Sequence, residues 1–411
     1  MTYDCLIIGA GASGLYCAAR ILAQRECRVA IIDSNHIAGK KLLMTGGGRC
    51  NLTNSSIELN KYNTDDPDRL RRILELHDHK AVITFFEKEL GIALTTKDNL
   101  YYPATFKAPT VVNGLVNYLQ EKGCDLIFDE EVQSIAKTDN NYVINSNYRA
   151  KNIVLATGGA SYPKTGSKGA FVSLLTHFVD DDSIVPLKPA LVPLTIAEKD
   201  IKRLSGAKSA CSLKLYSGSD KSDLIGRSSG ELLFTDYGIS GIMVLDISSA
   251  AVNLIAKGGK PIVSVNLLNK PYNEALELIR YVTGHFPDRR IIDALAGLVR
   301  DDIVYVALGR IKTSKDKLCS KITDAEIQSI TDVLTGFDLT VTGSKGFDNA
   351  QITSGGLKLS CVNDDLSLPS YDSFFVCGET LNCDGICGGY NLQFAWSSAD
   401  LASEGVIRCL N

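Results

Sequence analysis

The chain has 411 residues, 45% of them apolar and 22% charged, with 43 Lys and Arg against 47 Asp and Glu for a formal net charge of −4. A chain of this length forms two or three domains, each with its own core, and the unbiased composition excludes disordered, collagenous and coiled-coil proteins. The slight excess of acid gives no net attraction to a polyanion, so nucleic acid would need a local basic patch.

Tyr3 to Gly9 is a short apolar run suited to a strand buried on both faces, and it runs directly into Gly9-Ala-Gly11-Ala-Ser-Gly14. Leu15, Ala18, Ala19 and Leu22 follow at i, i+3, i+4 and i+7, the stripe of a helix lying on a sheet. Arg28 to Ile32 form a second apolar run, closed by Asp33, which stands 19 residues beyond Gly14. Strand, GxGxxG turn, helix, strand and acid in that order make a dinucleotide site. Gly9 allows the tight turn, Gly11 lets backbone approach a pyrophosphate, Gly14 lets helix and strand pack closely, and Asp33 accepts hydrogen bonds from an unphosphorylated ribose.

Next comes Gly39-Lys-Lys41-Leu-Leu-Met-Thr-Gly46-Gly-Gly48-Arg49-Cys50-Asn51-Leu-Thr-Asn54. Consecutive glycines let backbone pass against a flat or charged ligand, and Arg49 adds a permanent cation. Pro67 to Leu90 is patterned as helix, with His77 on the stripe of Leu70, Ile73 and Leu74, where it is expected to be a packing or surface residue rather than a catalyst. Asn152 to Leu155 reads as a later strand ending in Thr157-Gly158-Gly159. Pro186, Pro189 and Pro193 mark a crossing out of the first domain.

Short strand-like runs follow at Ser212 to Tyr216, Glu231 to Phe234 and Pro261 to Leu267, then a helical pattern from Asn273 to Leu334, and strands again at Phe337 to Val341 and Ala350 to Ile352. The expected organisation is α/β: a discontinuous Rossmann-like dinucleotide-binding domain, 1–190 and 353–411; a β-rich, barrel-like domain, 191–270 and 337–352, expected to set the substrate; and a helical subdomain, 271–336. Ser373 to Cys377 is a last strand before Gly378-Glu379, and Gly388-Gly389 opens a final helix whose backbone donors suit the pyrimidine end of a flavin. Both chain ends are therefore expected to build one extended cofactor site.

No apolar run reaches the roughly 18 residues of a membrane helix, and Thr2 to Ile8 carries Asp4 and no basic leader, so a cytoplasmic protein with reduced cysteines is expected. Cys377, Cys383 and Cys387 fit no paired CxxC spacing, and no metal is expected. There is no second GxGxxG after a strand, so a nicotinamide donor is expected to dock transiently.

The segment Gly39 to Asn54 resembles the GKKLLxTGGGRCNxTN signature of the BaiN/YhiN-like family of FAD-dependent NAD(P)/FAD oxidoreductases. Phe375 to Trp396, with Gly378-Glu379, Asp384-Gly385 and Gly388-Gly-Tyr390-Asn391-Leu392-Gln393, resembles the family's GExLDxDGxxGGYNLQxA signature. The resemblance spans nearly the whole chain, with departures at Asp236 and Ile242, where the family often has His and Pro, and in the stretch after Gly356.

This resemblance implies an FAD site of Gly9, Gly11, Gly14, Asp33, Lys41, Arg49, Asn51, Gly158, Gly378, Glu379, Gly389, Asn391 and Leu392. Analogy with other FAD folds adds a strand over Glu130 to Ser134 whose backbone, at Val132, meets adenine. Tyr390, Asp384 and Cys50 are candidate proton donors, Cys50 because a thiol beside Arg49 could have a lowered pKa; packing and loop-fixing roles compete at each. The implied activity is reduction of an activated C=C bond by NADH or NADPH, in a steroid-like enone or an RNA uracil. An oxygen-using amine oxidase and a non-catalytic redox protein are the alternatives. A small-molecule substrate is favoured over RNA, because the cations Lys199, Lys202, Arg203, Lys208, Lys214, Lys221 and Arg227 read as a solvated face.

Overall fold

The computed structural model describes residues 2–411 and divides into two compact units, one running to Pro189 and resuming over Gln351–Asn411, the other Ala190–Ala350. The first unit is built on a sheet whose central strands are apolar and buried on both faces over 5–8, 29–32 and 153–155. Strand β1 (Thr2–Ile8) lies parallel between β2 (Val29–Ile32) and the strand Tyr148–Leu155; Asp125–Ile127 extends the sheet beyond β2, and Tyr371–Val376 extends it beyond Tyr148–Leu155. The chain leaves β1 toward β2 on one side, while β1 has a strand from much later in sequence on the other. This is a topological switch point, the place at the carboxyl ends of the strands where open α/β sheets bind their ligands.

Helix α1 (Ala12–Gln24) and the C-terminal helix Tyr390–Cys409 pack together over one face of the sheet. Small side chains such as Ala18, Ala19, Ala399 and Ala402 let them approach, and Trp396, Tyr16, Phe85 and Phe86 fill the space beneath them with ring centroids 5.0–6.4 Å apart. Two small antiparallel sheets flank the start of the C-terminal helix: Thr53–Asn54 with Leu100–Pro103 and Leu94–Lys97, and Cys383–Gly385 with Tyr62–Thr64.

The second unit is a closed six-stranded barrel of Leu194–Ile196, Gly238–Ser240, Leu224–Phe234, Lys208–Tyr216, Ile262–Asn266 and Phe337–Ser344. Helices Tyr272–His285, Asp301–Arg310 and Asp324–Thr335 share its core, since Ile279, Val304 and Ile330 belong to one cluster with Phe234 and Leu339. No helix among the described residues is long and apolar enough to cross a membrane.

Three local expectations are corrected. Residues 130–134 form no ladder; the strand begins at Ile135, and the Val132 side chain belongs to the core cluster that includes Leu70 and Ile8. The helix from Pro67 breaks after Leu76, because Asp78 caps a new turn by accepting from the Lys80 and Ala81 N–H groups. The stretch expected to be β-rich contains a 15-residue helix, Ile242–Ala256, whose apolar residues run almost all round it and so give no helical stripe.

Candidate functional site

The N-terminal turn is shaped by its three glycines, each for a different reason. Gly9 has φ +110°, and a Cβ there would overlap the Ala156 carbonyl oxygen at the end of the neighbouring strand. A Cβ on Gly14 would overlap the Gly9 carbonyl oxygen. Gly11 faces open space, with nothing within 4 Å of its would-be Cβ, and α1 starts from it without a side-chain cap. An uncapped helix N-terminus beside an open backbone is a place for a phosphate.

Asp33 is tied into this turn. Its Oδ2 accepts from the Ala10 N–H at 2.6 Å, and its Oδ1 accepts from the Asn35 backbone and side-chain N–H groups at 2.8 and 2.9 Å. The Asp33 carboxylate is thereby oriented by Ala10 before it in the chain and Asn35 after it.

Lys41 and Glu379, 338 residues apart in sequence, meet at 2.6 Å. Lys41 Nζ also donates to Ser161 Oγ at 2.6 Å, and Glu379 Oε1 accepts from Ser161 Oγ at 2.9 Å and from the Thr353 N–H at 2.7 Å. Thr353 Oγ1 in turn accepts from the Ala160 and Ser161 N–H groups. Lys41 is therefore no solvated loop cation: the network joins the loop after Tyr148–Leu155 to Gly378-Glu379. Sequence reasoning missed Ser161 and Thr353, which carry no motif and are recruited only by the tertiary contact. Arg49 stands apart, exposed and without an ion pair among the described residues.

The C-terminal glycine loop is held from a distance. With the Asn51 amide oriented by its hydrogen bonds, its oxygen accepts from the Gly389 N–H and its nitrogen donates to the Thr53 carbonyl, both at 3.0 Å. Asn54 Nδ2 donates to the Gly388 carbonyl at 3.1 Å. Asn391 closes the loop on itself, accepting from the Gly385 N–H at 2.8 Å and donating to its carbonyl at 2.9 Å. Gly389 (φ +89°) then opens the C-terminal helix without a side-chain cap, and a Cβ there would crowd the Thr53 backbone. Leu392 packs on the core. Gly158 and Gly378 both take positive φ at the ends of their strands.

The three candidate acids separate. Tyr390 is buried, donates to the Ser56 carbonyl at 3.1 Å and stands edge-on to Tyr62 at 5.3 Å. Cys50 corrects an expectation: it is fully buried, and burial pushes its thiol up to about 12, the reverse of activation by Arg49. Asp384 is buried and accepts from Asn63 Nδ2 at 3.2 Å; burial, with the Glu379 charge adding to it, raises its carboxyl to about 6 against opposing hydrogen bonds from Ser354 and Asn63. His77 is a packing residue, its Nδ1 3.1 Å from Asp400 Oδ2, while Asp400 Oδ1 holds Arg20 at 2.5 Å.

An open Gly11, two uncapped helix starts, an oriented acid and strand-end glycines together fit an extended dinucleotide. The family profile described as the HI0933-like protein Rossmann domain matches residues 3–405. Among curated proteins, the chain is 28% identical to a 3-dehydro-bile acid delta(4,6)-reductase of Clostridium scindens, over 97% of each chain. It is 28% identical to a ribosomal RNA dihydrouridine synthase of Haemophilus influenzae, over 96% of each. Among solved structures, a 3-ketosteroid delta1-dehydrogenase from Sterolibacterium denitrificans in complex with 1,4-androstadiene-3,17-dione shares the fold, with a TM-score of 0.50 at 11% identity over 99% of this chain and 100% of that one. The resemblance read from the two glycine signatures is thus borne out, and the chain belongs to the HI0933-like family of Rossmann-type flavoproteins, which are FAD-dependent oxidoreductases.

Proposed function

We propose that this protein is an NAD(P)H-fed reductase of an activated C=C bond, acting on a steroid-like enone. The observation that carries the reading is Asp384, a buried carboxyl raised to about 6 and placed just before the glycines that open the C-terminal helix. Saturating a C=C bond requires a proton as well as a hydride, and a carboxyl titrating near neutral pH is matched to giving one. Full-length likeness to the bile acid reductase supports the same direction.

FAD, when bound, supplies the two-electron chemistry, accepting hydride from a nicotinamide and delivering it to an electron-poor carbon. The residues proposed to hold it are the glycines of the first turn, Asp33, Gly158, Gly378, Gly389 and, through the loops they orient, Lys41, Glu379, Asn51 and Asn391. The uncapped N-terminus of Tyr390–Cys409 favours negative charge developing beside it. Asp384 holds the proton at its carboxyl, with Asn63 fixing one oxygen. Anaerobic stopped-flow mixing tests the direction: rapid bleaching of the flavin by NADH or NADPH, and reoxidation by 4-androstene-3,17-dione, are expected. Bleaching by an amine instead would make the protein an oxidase, and bleaching by neither a redox protein without this activity.

A second reading, reduction of an RNA base, is favoured by one surface feature of the barrel unit. The half-exposed Tyr305 ring has Arg203 5.2 Å and Lys315 5.4 Å from its centroid, with Lys199 and Lys202 exposed close to Arg203 in sequence. An aromatic ring among cations suits a single-stranded base and its phosphates. RNA affinity falling steeply with salt, and a flatter slope after Lys202, Arg203 and Lys208 are neutralised together, is the outcome that would favour it.

A further inference from the structure

Beyond the carboxyl ends of β1 and Tyr148–Leu155, the chain carries two buried hydroxyls that no other group in it satisfies. Ser167 is 6% exposed, yet its Oγ is buried without a hydrogen-bond partner, and so is Oγ1 of Thr157. A buried hydroxyl left unpaired costs on the order of 1–3 kcal/mol, so in a native protein it calls for a partner from outside the chain.

Both hydroxyls stand at the switch point. Thr157 follows the strand Tyr148–Leu155, and its Cα lies 3.1 Å from the position a Cβ on Gly9 would take. Ser167 Oγ lies 3.4 Å from the would-be Cβ of Gly158. The loop between them is closed at its base by the Gly169 N–H donating to the Gly159 carbonyl at 2.8 Å. Its tip is pinned to Asn35, whose side chain donates to the Thr165 carbonyl at 3.0 Å and to Asp33 at 2.9 Å. A loop that leaves one strand and is fastened to residues after β2 crosses the carboxyl end of β1, where the open Gly11 and the uncapped start of α1 lie.

We propose that residues 160–169 form a clasp over the diphosphate of the dinucleotide, with the Ser167 hydroxyl, assisted by that of Thr157, donating to a phosphate oxygen. The assignment rests on the FAD reading of the site and adds to it the ligands that neither glycine signature contains. Hydrogen bonds to a charged acceptor are the strong ones, so the hydroxyls should matter to affinity out of proportion to their size.

Equilibrium titration of apoprotein, followed by flavin fluorescence, tests this with FAD and with riboflavin, which has no phosphate. Ser167→Ala should weaken FAD roughly tenfold and leave riboflavin within twofold, at unchanged far-ultraviolet circular dichroism. Thr157→Val, which keeps the side-chain shape, should weaken FAD severalfold with the same selectivity, and serves alone if the first variant does not fold. Equal losses for FAD and riboflavin, or FAD affinity within twofold of wild type in both variants, would overturn the clasp while leaving the cofactor in place. Wild-type apoprotein that takes up no FAD would instead remove the cofactor reading, and the clasp with it.

Discussion

The two glycine clusters of the first unit do similar work by different means. Gly9 to Gly14 is self-contained: its turn is shaped by contacts with the neighbouring strand end and by the packing of Gly14 on Gly9 itself. The loop Gly385 to Gly389 is held by side chains from the other end of the chain, Asn51 on Gly389 and Asn54 on Gly388, with only Asn391 supplied locally. The first cluster should therefore fail by steric overlap and the second by loss of hydrogen bonds.

The sharpest break in that comparison is within the first cluster. Gly14→Ala places a methyl on the Gly9 carbonyl oxygen and should cost about 3 kcal/mol or more in urea unfolding, the upper range for overpacking. Gly11→Ala meets open space and should leave urea stability within about 0.5 kcal/mol while weakening FAD binding. Equal destabilisation by the two would mean that the glycines do not divide their roles as the geometry says.

Asp384 tests the second cluster through pH. Its folded pKa of about 6 lies above the ordinary aspartate value, so the folded state holds this proton more tightly than the unfolded chain does. The sign follows: the group's contribution is most favourable below the unfolded pKa and is lost as pH rises through about 6. Asp384→Asn should raise stability at pH 8 by about 2–3 kcal/mol relative to wild type, with the difference shrinking toward pH 4. It should also abolish enone turnover while flavin reduction by NAD(P)H continues. A pH-independent difference would show that Asp384 is ionised in the fold at all these values.

Asn391→Ala removes both side-chain bonds to Gly385 and should cost about 1–2 kcal/mol, measured as a shifted urea midpoint. Asn51→Ala should match it despite acting from far away in sequence, if distance along the chain is irrelevant to the loop. The smallest expected effect is at Arg49, where Arg49→Ala on an exposed side chain should change stability by less than about 0.5 kcal/mol. A fall in FAD affinity in that variant would identify Arg49 as a cofactor ligand, and unchanged affinity would remove it from the site.

The boundaries of β1, α1 and β2 were legible because each is decided locally, by a run of apolar residues, a 3.6-residue stripe and glycines whose roles depend on their own backbone. The Ile242–Ala256 helix was not, because a nearly all-apolar segment has no period to read. Cys50 misled because adjacency to Arg49 in sequence says nothing about direction: the guanidinium faces solvent and the thiol faces the core.

By itself, then, the order of residues determined a Rossmann-type dinucleotide fold, since strand, turn and helix are short-range consequences of spacing, and the flavin followed from the resemblance of the glycine signatures at both ends. Only the tertiary structure decided that Lys41 is spent on Glu379 and Ser161, that Asn51 reaches Gly389, that burial raises the Asp384 carboxyl, and that Ser167 is left without a partner. Those facts depend on which distant groups share a buried volume, and desolvation and hydrogen-bond satisfaction are properties of that volume, not of the neighbouring residues in the chain.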